Sequence, residues 1–388
     1  MTDLQKKDQE YILNTYARFP LSIVSGSGSE VYDENGKRYI DMGSGIGVTS
    51  FGISDPLWVN AVTEQLGKVQ HMSNLYFTEP CVKLAQLLCE KSGMKKVFFC
   101  NSGAEANECV IKAARRYGCD KKGKEYYEIL TLENSFHGRT VTTLAATGQE
   151  HYHELFQPLT PGFVHAPAND FVAWKSVADQ HKLCAVMVEC VQGEGGVIPL
   201  TQEFVRKISE YAEERDILLI VDEVQTGNGR SGAMYAYQRL GIEPDLVSTA
   251  KGLGGGLPLG AALFGQKVES ILSFGDHGST FGGNPVACAG AVSIVERMDE
   301  KFLKEVCEKS DYIFKTLSSS KGIRSVSGMG LMIGIETEKD AKTVVSACME
   351  RGVLCLTAKN KVRLLPALNI PMNVLKEAIQ TIQTVCSE

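Results

Sequence analysis

Two residues of this sequence, a lysine and an aspartate, suggest a specific chemistry. Lys251 sits in Ser248-Thr249-Ala250-Lys251-Gly252-Leu253-Gly254-Gly255-Gly256-Leu257-Pro258, a run of small residues behind a short apolar segment. Asp222 ends the apolar segment Ile217-Leu218-Leu219-Ile220-Val221-Asp222, 29 residues earlier. A lysine amine can join an aldehyde, and neighbouring glycines let the backbone come close to such a partner. A carboxylate at the end of a buried strand wants a cation beside it, because an unpaired buried charge is costly. Pyridoxal phosphate (PLP) meets both demands. The lysine forms a Schiff base with its aldehyde, and the aspartate keeps the pyridine nitrogen protonated so that the ring withdraws electrons. Taken singly, each residue has a plainer reading, as an exposed loop lysine and as a helix cap or structural ion pair.

Further motifs point the same way. Cys100-Asn101-Ser102-Gly103-Ala104-Glu105 reads as strand end, tight turn and helix start. Free N–H groups at such a start bind phosphate, and Ser102 can add a hydroxyl; simple N-capping is compatible with both. Gln225, one turn beyond Asp222, can reach the phenolic oxygen of the cofactor or be a loop amide. In Asn134-Ser135-Phe136-His137-Gly138-Arg139-Thr140, Phe136 can stack on a pyridine ring and Arg139 can grip a substrate carboxylate. Alone they would read as a core aromatic and a surface ion pair. Gly278-Ser279-Thr280-Phe281-Gly282-Gly283-Asn284-Pro285 is a glycine-rich loop whose hydroxyls suit a phosphate. Glu194, in Gln192-Gly193-Glu194-Gly195-Gly196, follows the apolar segment Leu183–Glu189 and would otherwise be a solvated acid. Arg363 lies in the apolar Val362-Arg363-Leu364-Leu365-Pro366 and needs a partner; Glu194 is the candidate.

These residues require a scaffold of strands and helices. From about 55 to 290, continuous apolar strands alternate with helical stretches: Lys96–Cys100, Glu128–Leu132, Leu183–Glu189, Ile217–Asp222, Asp245–Thr249 and Ala261–Phe264. That pattern predicts an α/β fold with a mostly parallel sheet covered on both faces. A helix is expected near 3–16, a hairpin over 31–42 turning at Asn35-Gly36, and one long helical stretch over 285–317. The tail alternates strands and helices, so 1–54 and 291–388 are expected to form a smaller discontinuous α+β domain beside the large domain at 55–290.

Composition sets outer limits. The chain has 388 residues, 44% hydrophobic and 22% charged, with a net charge of −6. There is no basic footprint for nucleic acid or anionic membrane. The charged N-terminus lacks a signal-peptide core and no apolar run is long enough to span a membrane, so a cytoplasmic protein is expected. None of the 12 cysteines forms a C-x-x-C pair, and reduced thiols are expected. His151 and His153 lack partners at zinc-site spacing, so no metal is expected and both are read as surface histidines.

With these pieces in order, the sequence resembles the class III (subgroup II) PLP-dependent aminotransferases over nearly its whole length, from Tyr16-Ala17-Arg18-Phe19-Pro20 to Arg363-Leu364-Leu365-Pro366. His71-Met72-Ser73-Asn74-Leu75-Tyr76-Phe77-Thr78-Glu79-Pro80, Phe136-His137-Gly138-Arg139-Thr140 and His277–Pro285 are most similar to the members acting on N-acetylornithine. The resemblance implies the fold type I of PLP-dependent transferases and a homodimer with shared active sites. It implies Lys251 as the covalent attachment and Asp222 at the pyridine nitrogen. Gln225 falls near the phenolic oxygen, Ser102, Gly103 and Ala104 at the phosphate, and Phe136 on the ring. Thr280 would reach the phosphate of the neighbouring subunit, with Ser279 near substrate there. Arg139 and Tyr16 would contact substrate, and Glu194 would mask Arg363 until 2-oxoglutarate binds. The implied reaction is transamination of N-acetyl-L-ornithine with 2-oxoglutarate, in arginine biosynthesis. Other ω-amine donors (ornithine, succinylornithine, acetyllysine, 4-aminobutyrate) are the nearest rivals, and an aminomutase or lyase on the same fold is a further one. Two segments depart from the family pattern. Gly52-Ile53-Ser54-Asp55-Pro56 stands where His-x-His-Pro is common, and Glu189-Cys190 where Glu-Pro is common.

Overall fold

The computed structural model describes residues 2–388. Its centre is a seven-stranded sheet of β1 (Lys96–Cys100), β2 (Glu128–Leu132), β3 (Phe163–Ala166), β4 (Leu183–Val188), β5 (Leu218–Asp222), β6 (Leu246–Thr249) and β7 (Gly260–Phe264). The strand order is β1-β7-β6-β5-β4-β2-β3. Only β7 runs against the rest, pairing antiparallel with β6 and β1. The expected mostly parallel sheet is therefore present. β4 and β5 are buried along their whole lengths, because helices cover both faces and leave no side of these strands to water. Helix Gly103–Lys122 packs on one face through Val110, Ile111, Ala114 and Tyr117; helix Gln202–Glu214 packs on the other through Phe204, Val205 and Ile208.

The N-terminal hairpin turns where Asn35-Gly36 predicted, and its strands Glu30–Asp33 and Arg38–Asp41 share a four-stranded sheet with Ile23–Ser27 and Val353–Leu354. A second four-stranded sheet joins Ile323–Met329, Met332–Thr337, Lys361–Leu364 and Leu356–Ala358. Three local expectations differ from the structure. The first helix ends at Tyr11 rather than near 16, because it buries no residue and so has no packing to extend it. The stretch 285–317 is two helices, Pro285–Val295 and Glu300–Leu317, separated where the Asp299 side chain accepts from Phe302 N and caps the second. His153 is buried with its Nε2 3.0 Å from the Leu144 carbonyl, so it is not a surface residue.

Candidate active site

The C-terminal ends of the parallel strands open onto a single cavity of about 450 Å³. Ligands of open α/β sheets bind at this edge, where loops diverge from neighbouring strands. β5 delivers Asp222, β6 delivers Lys251, the loop after β1 delivers Ser102, Gly103 and Ala104, and the loop after β2 delivers Phe136 and Arg139; Gln225 completes the lining. Eight residues read from the sequence as site candidates are thus neighbours in space.

Asp222 is held by three donors. His137 Nδ1 and Asn107 Nδ2 each lie 2.8 Å from Oδ2, and Val224 N donates to Oδ1 at 3.0 Å. Asn107 also donates to the His137 carbonyl at 2.7 Å, so histidine and carboxylate share one brace. Burial opposes charge on His137, but the Asp222 contact outweighs it and holds the imidazole above its ordinary pKa. Glu189, just past the end of β4, is a further buried ionisable group here. Its Oε2 accepts from Phe136 N at 2.9 Å and its Oε1 from Gly193 N at 3.4 Å. Burial pushes this carboxyl up to about 7. The sequence reading gave no role to Asn107, His137 or Glu189. A usable signal existed for Glu189, which ends an apolar strand as Asp222 does.

Lys251 follows β6 after Ala250 and has a left-handed backbone with φ 45°. Such a conformation costs an L-residue roughly 1–2 kcal/mol. Removal from water pushes its ammonium below the ordinary lysine pKa, with Glu194 opposing. The start of helix Gly103–Lys122 faces the same cavity. Ser102 Oγ accepts from Glu105 N at 3.2 Å, whereas the N–H groups of Gly103 and Ala104 have no acceptor among the described residues. A Cβ on Gly103 would lie 2.6 Å from Val224 Cγ1, so only glycine lets this helix start come so near the loop after Asp222. The arrangement can hold an anion at the helix start and a cation at Asp222.

Glu194 and Arg363 meet beside this cavity, Oε1 to Nη1 at 2.6 Å. The Arg363 guanidinium also donates to Gln225 Oε1 at 3.3 Å, and Gln225 Nε2 donates to Glu194 at 3.4 Å. Burial alone would raise the Glu194 carboxyl, but Arg363 outweighs it and the net shift is downward. Three expected residues lie apart from the cavity within the chain. Ser279 accepts from Asn101 Nδ2 at 3.2 Å and Thr280 borders a separate hollow with His71 and Thr78. Tyr16 is exposed on the N-terminal segment, with the Arg18 guanidinium over its ring. Arg139 makes no ion pair among the described residues, unlike the surface pair it would be if read alone.

The chain is similar to known proteins over nearly its whole length. Acetylornithine aminotransferase of Haemophilus ducreyi is 49% identical over 99% of this chain and 98% of its own length. That of Methanocaldococcus jannaschii is 43% identical over 100% of this chain and 98% of its own. Among solved structures, ornithine aminotransferase of Toxoplasma gondii aligns with a TM-score of 0.94 at 29% identity, covering 99% of this chain and 94% of that one. N-acetylornithine aminotransferase of Stenotrophomonas maltophilia aligns with a TM-score of 0.84 at 31% identity, covering 98% and 97%. The family model for class-III aminotransferases matches residues 11–386. The lysine, the braced aspartate and the ion-paired arginine thus meet at the sheet edge of a chain that belongs to the class-III aminotransferases.

Proposed function

We propose that this chain transfers the δ-amino group of N-acetyl-L-ornithine to 2-oxoglutarate, with PLP as cofactor. The products are N-acetyl-L-glutamate 5-semialdehyde and L-glutamate, and the step belongs to arginine biosynthesis. The observation that carries this reading is the convergence of Lys251, Asp222 and the Glu194–Arg363 pair at one sheet edge. Full-length identities of 41–49% to acetylornithine aminotransferases support the choice of donor.

The residues fit PLP. The unpaired N–H groups of Gly103 and Ala104, with Ser102, would hold its phosphate. Asp222 would face the pyridinium nitrogen, Phe136 the ring, and Gln225 the phenolic oxygen. Bound there, PLP supplies a ring that withdraws electrons from the carbon bearing the amine. Lys251 would be the covalent anchor and the base. Removal from water pushes its pKa below the ordinary lysine value, and as the base it would take a proton from the donor's δ-carbon and in the second half deliver one to C2 of the keto acid. Arg139 grips the carboxylate remote from the reacting carbon in both substrates. Glu194 neutralises Arg363 while the donor is bound, because the donor has no carboxylate at its reacting end. It then swings aside so that Arg363 takes the α-carboxylate of 2-oxoglutarate.

The E194Q variant tests this assignment through single-turnover rates of the two half-reactions. The expected result is a shift in relative efficiency of at least about tenfold toward glutamate, since a buried unmasked cation disfavours the neutral end of N-acetylornithine. Unchanged half-reactions and unchanged preference would contradict it.

The assembly belongs to the same proposal. We infer a homodimer in which Ser279 and Thr280 serve the partner's cavity. Support comes from the exposed apolar stretch Leu75-Tyr76-Phe77, 86% and 99% exposed at its ends, beside the hollow that Thr280 borders. Twelve free thiols suit a reducing, cytoplasmic setting. The sheet joining the N-terminal hairpin to Val353–Leu354 supports a discontinuous small domain.

A further inference from the structure

Arg139 has an unusual environment for a residue meant to bind a carboxylate with fixed geometry. Its guanidinium is exposed, and no protein group among the described residues hydrogen-bonds it. What it touches are two aromatic faces. Its central carbon lies 4.4 Å from the centroid of the Tyr152 ring and 5.8 Å from that of Phe136. A cation over a ring face is attracted by the ring quadrupole, while all of its N–H donors stay available in its plane. The two rings meet edge to face, 5.8 Å apart at 68°.

Tyr152 is itself firmly placed. It ends the short turn Glu150–Tyr152, which is stitched to the loop carrying Phe136. Gly148 N donates to Ser135 Oγ at 3.0 Å, Asn134 N donates to the Gly148 carbonyl at 2.6 Å, and Gln149 Nε2 donates to the Ser135 carbonyl at 3.0 Å. Buried His153 anchors the far side of the turn on Leu144. The tyrosine hydroxyl makes no hydrogen bond among the described residues, so the ring face is the part of this residue in use.

We propose that Tyr152 is a positioning residue for Arg139: its ring face fixes the guanidinium so that the fork points at the substrate carboxylate remote from the reacting carbon. This rests on the reading of Arg139 as that carboxylate site. Because both substrates present a carboxylate there, Tyr152 acts on KM for donor and keto acid alike and leaves the chemical step at saturation unchanged.

The test is calorimetric binding of glutarate, a dicarboxylate that cannot react, to the PLP-loaded dimer of wild type, Y152F, Y152L and R139A, with KM and kcat measured beside it. Y152F keeps the ring face and is expected to bind glutarate within about twofold of wild type. Y152L is expected to bind about three- to fivefold more weakly and to raise both KM values similarly with kcat unchanged. If Y152L does not fold, Y152M replaces it, filling the volume without a π face. Wild-type affinity in Y152L alongside weakened R139A would overturn the role of Tyr152 alone. Wild-type affinity in R139A would overturn the carboxylate reading beneath it. Equal weakening in Y152F and Y152L would also overturn the proposal, because it would assign the effect to the hydroxyl.

Discussion

Glu189 and Glu223 are buried carboxyls that burial pushes from an ordinary 4.5 up to about 7. Glu223 is held by the Tyr237 N–H at 2.8 Å and the Thr226 hydroxyl at 2.5 Å. Between about 4.5 and 7 the folded protein holds protons on these groups that the unfolded chain has released. Their stabilising contribution is therefore complete below 4.5 and falls as pH rises to 7, by roughly 3 kcal/mol per group at most. In denaturant melts of the PLP-free protein, E189Q should lose stability less steeply than wild type across that window. Parallel curves would contradict the assignment. At this scale the sequence was legible where a charge interrupts an apolar run, as at Asp222 and Arg363, since burial then demands a partner. It was not legible for His137 and Asn107, whose role arises only because a loop and a helix 30 residues apart in the chain converge on the carboxylate of a third element.

Helix Pro56–Leu66 shows how an element far from the chemistry supports it. Asp55 caps the helix through Trp58 N at 3.0 Å and pairs with Arg297 at 2.8 and 3.1 Å. The Arg297 guanidinium lies over the Phe51 ring at 3.7 Å. Trp58 Nε1 then donates to the Gly254 carbonyl at 3.1 Å, bracing the glycine turn directly behind Lys251. The segment at 52–56, which departs from the common family pattern, is thus held in place by these contacts. D55A removes the cap and leaves a half-buried arginine unpaired, so it should cost roughly 2 kcal/mol or more of unfolding free energy in chemical denaturation. D55N keeps the capping acceptor and should cost less. Equal stabilities for both variants and wild type would show that neither contact matters. The strands were legible because double-sided burial leaves continuous apolar runs. The break before Glu300 was hidden by unbroken helical periodicity, although Asp299 is a standard capping residue. Helices Pro56–Leu66 and Glu79–Ser92 lie outside the elements expected by number, yet both carry proline in the first turn, a signal present in the sequence.

For the whole molecule, the proposed dimer and the chemistry are one claim, because Thr280 lies outside the cavity of its own chain. Sedimentation should give twice the chain mass, and F77E, which places a charge in the exposed apolar stretch, should shift the mass toward the monomer and release PLP together. A monomer that retains PLP and full turnover would contradict shared sites. The sheet and its ligand edge were legible from alternating apolar strands and helices, whereas the pairing of the N-terminal hairpin with Val353–Leu354 depends on contacts between chain ends that no local pattern encodes. The most direct test of the central claim is the absorbance spectrum of the PLP-loaded protein, titrated separately with N-acetylornithine, ornithine and 4-aminobutyrate in the absence of keto acid. The account predicts that the visible cofactor band is lost at far lower concentration of N-acetylornithine than of the others, and that K251A shows no such band. A response mainly to ornithine or 4-aminobutyrate would contradict the donor, and no band in wild type after adding PLP would contradict the role of Lys251 and the mechanism built on it.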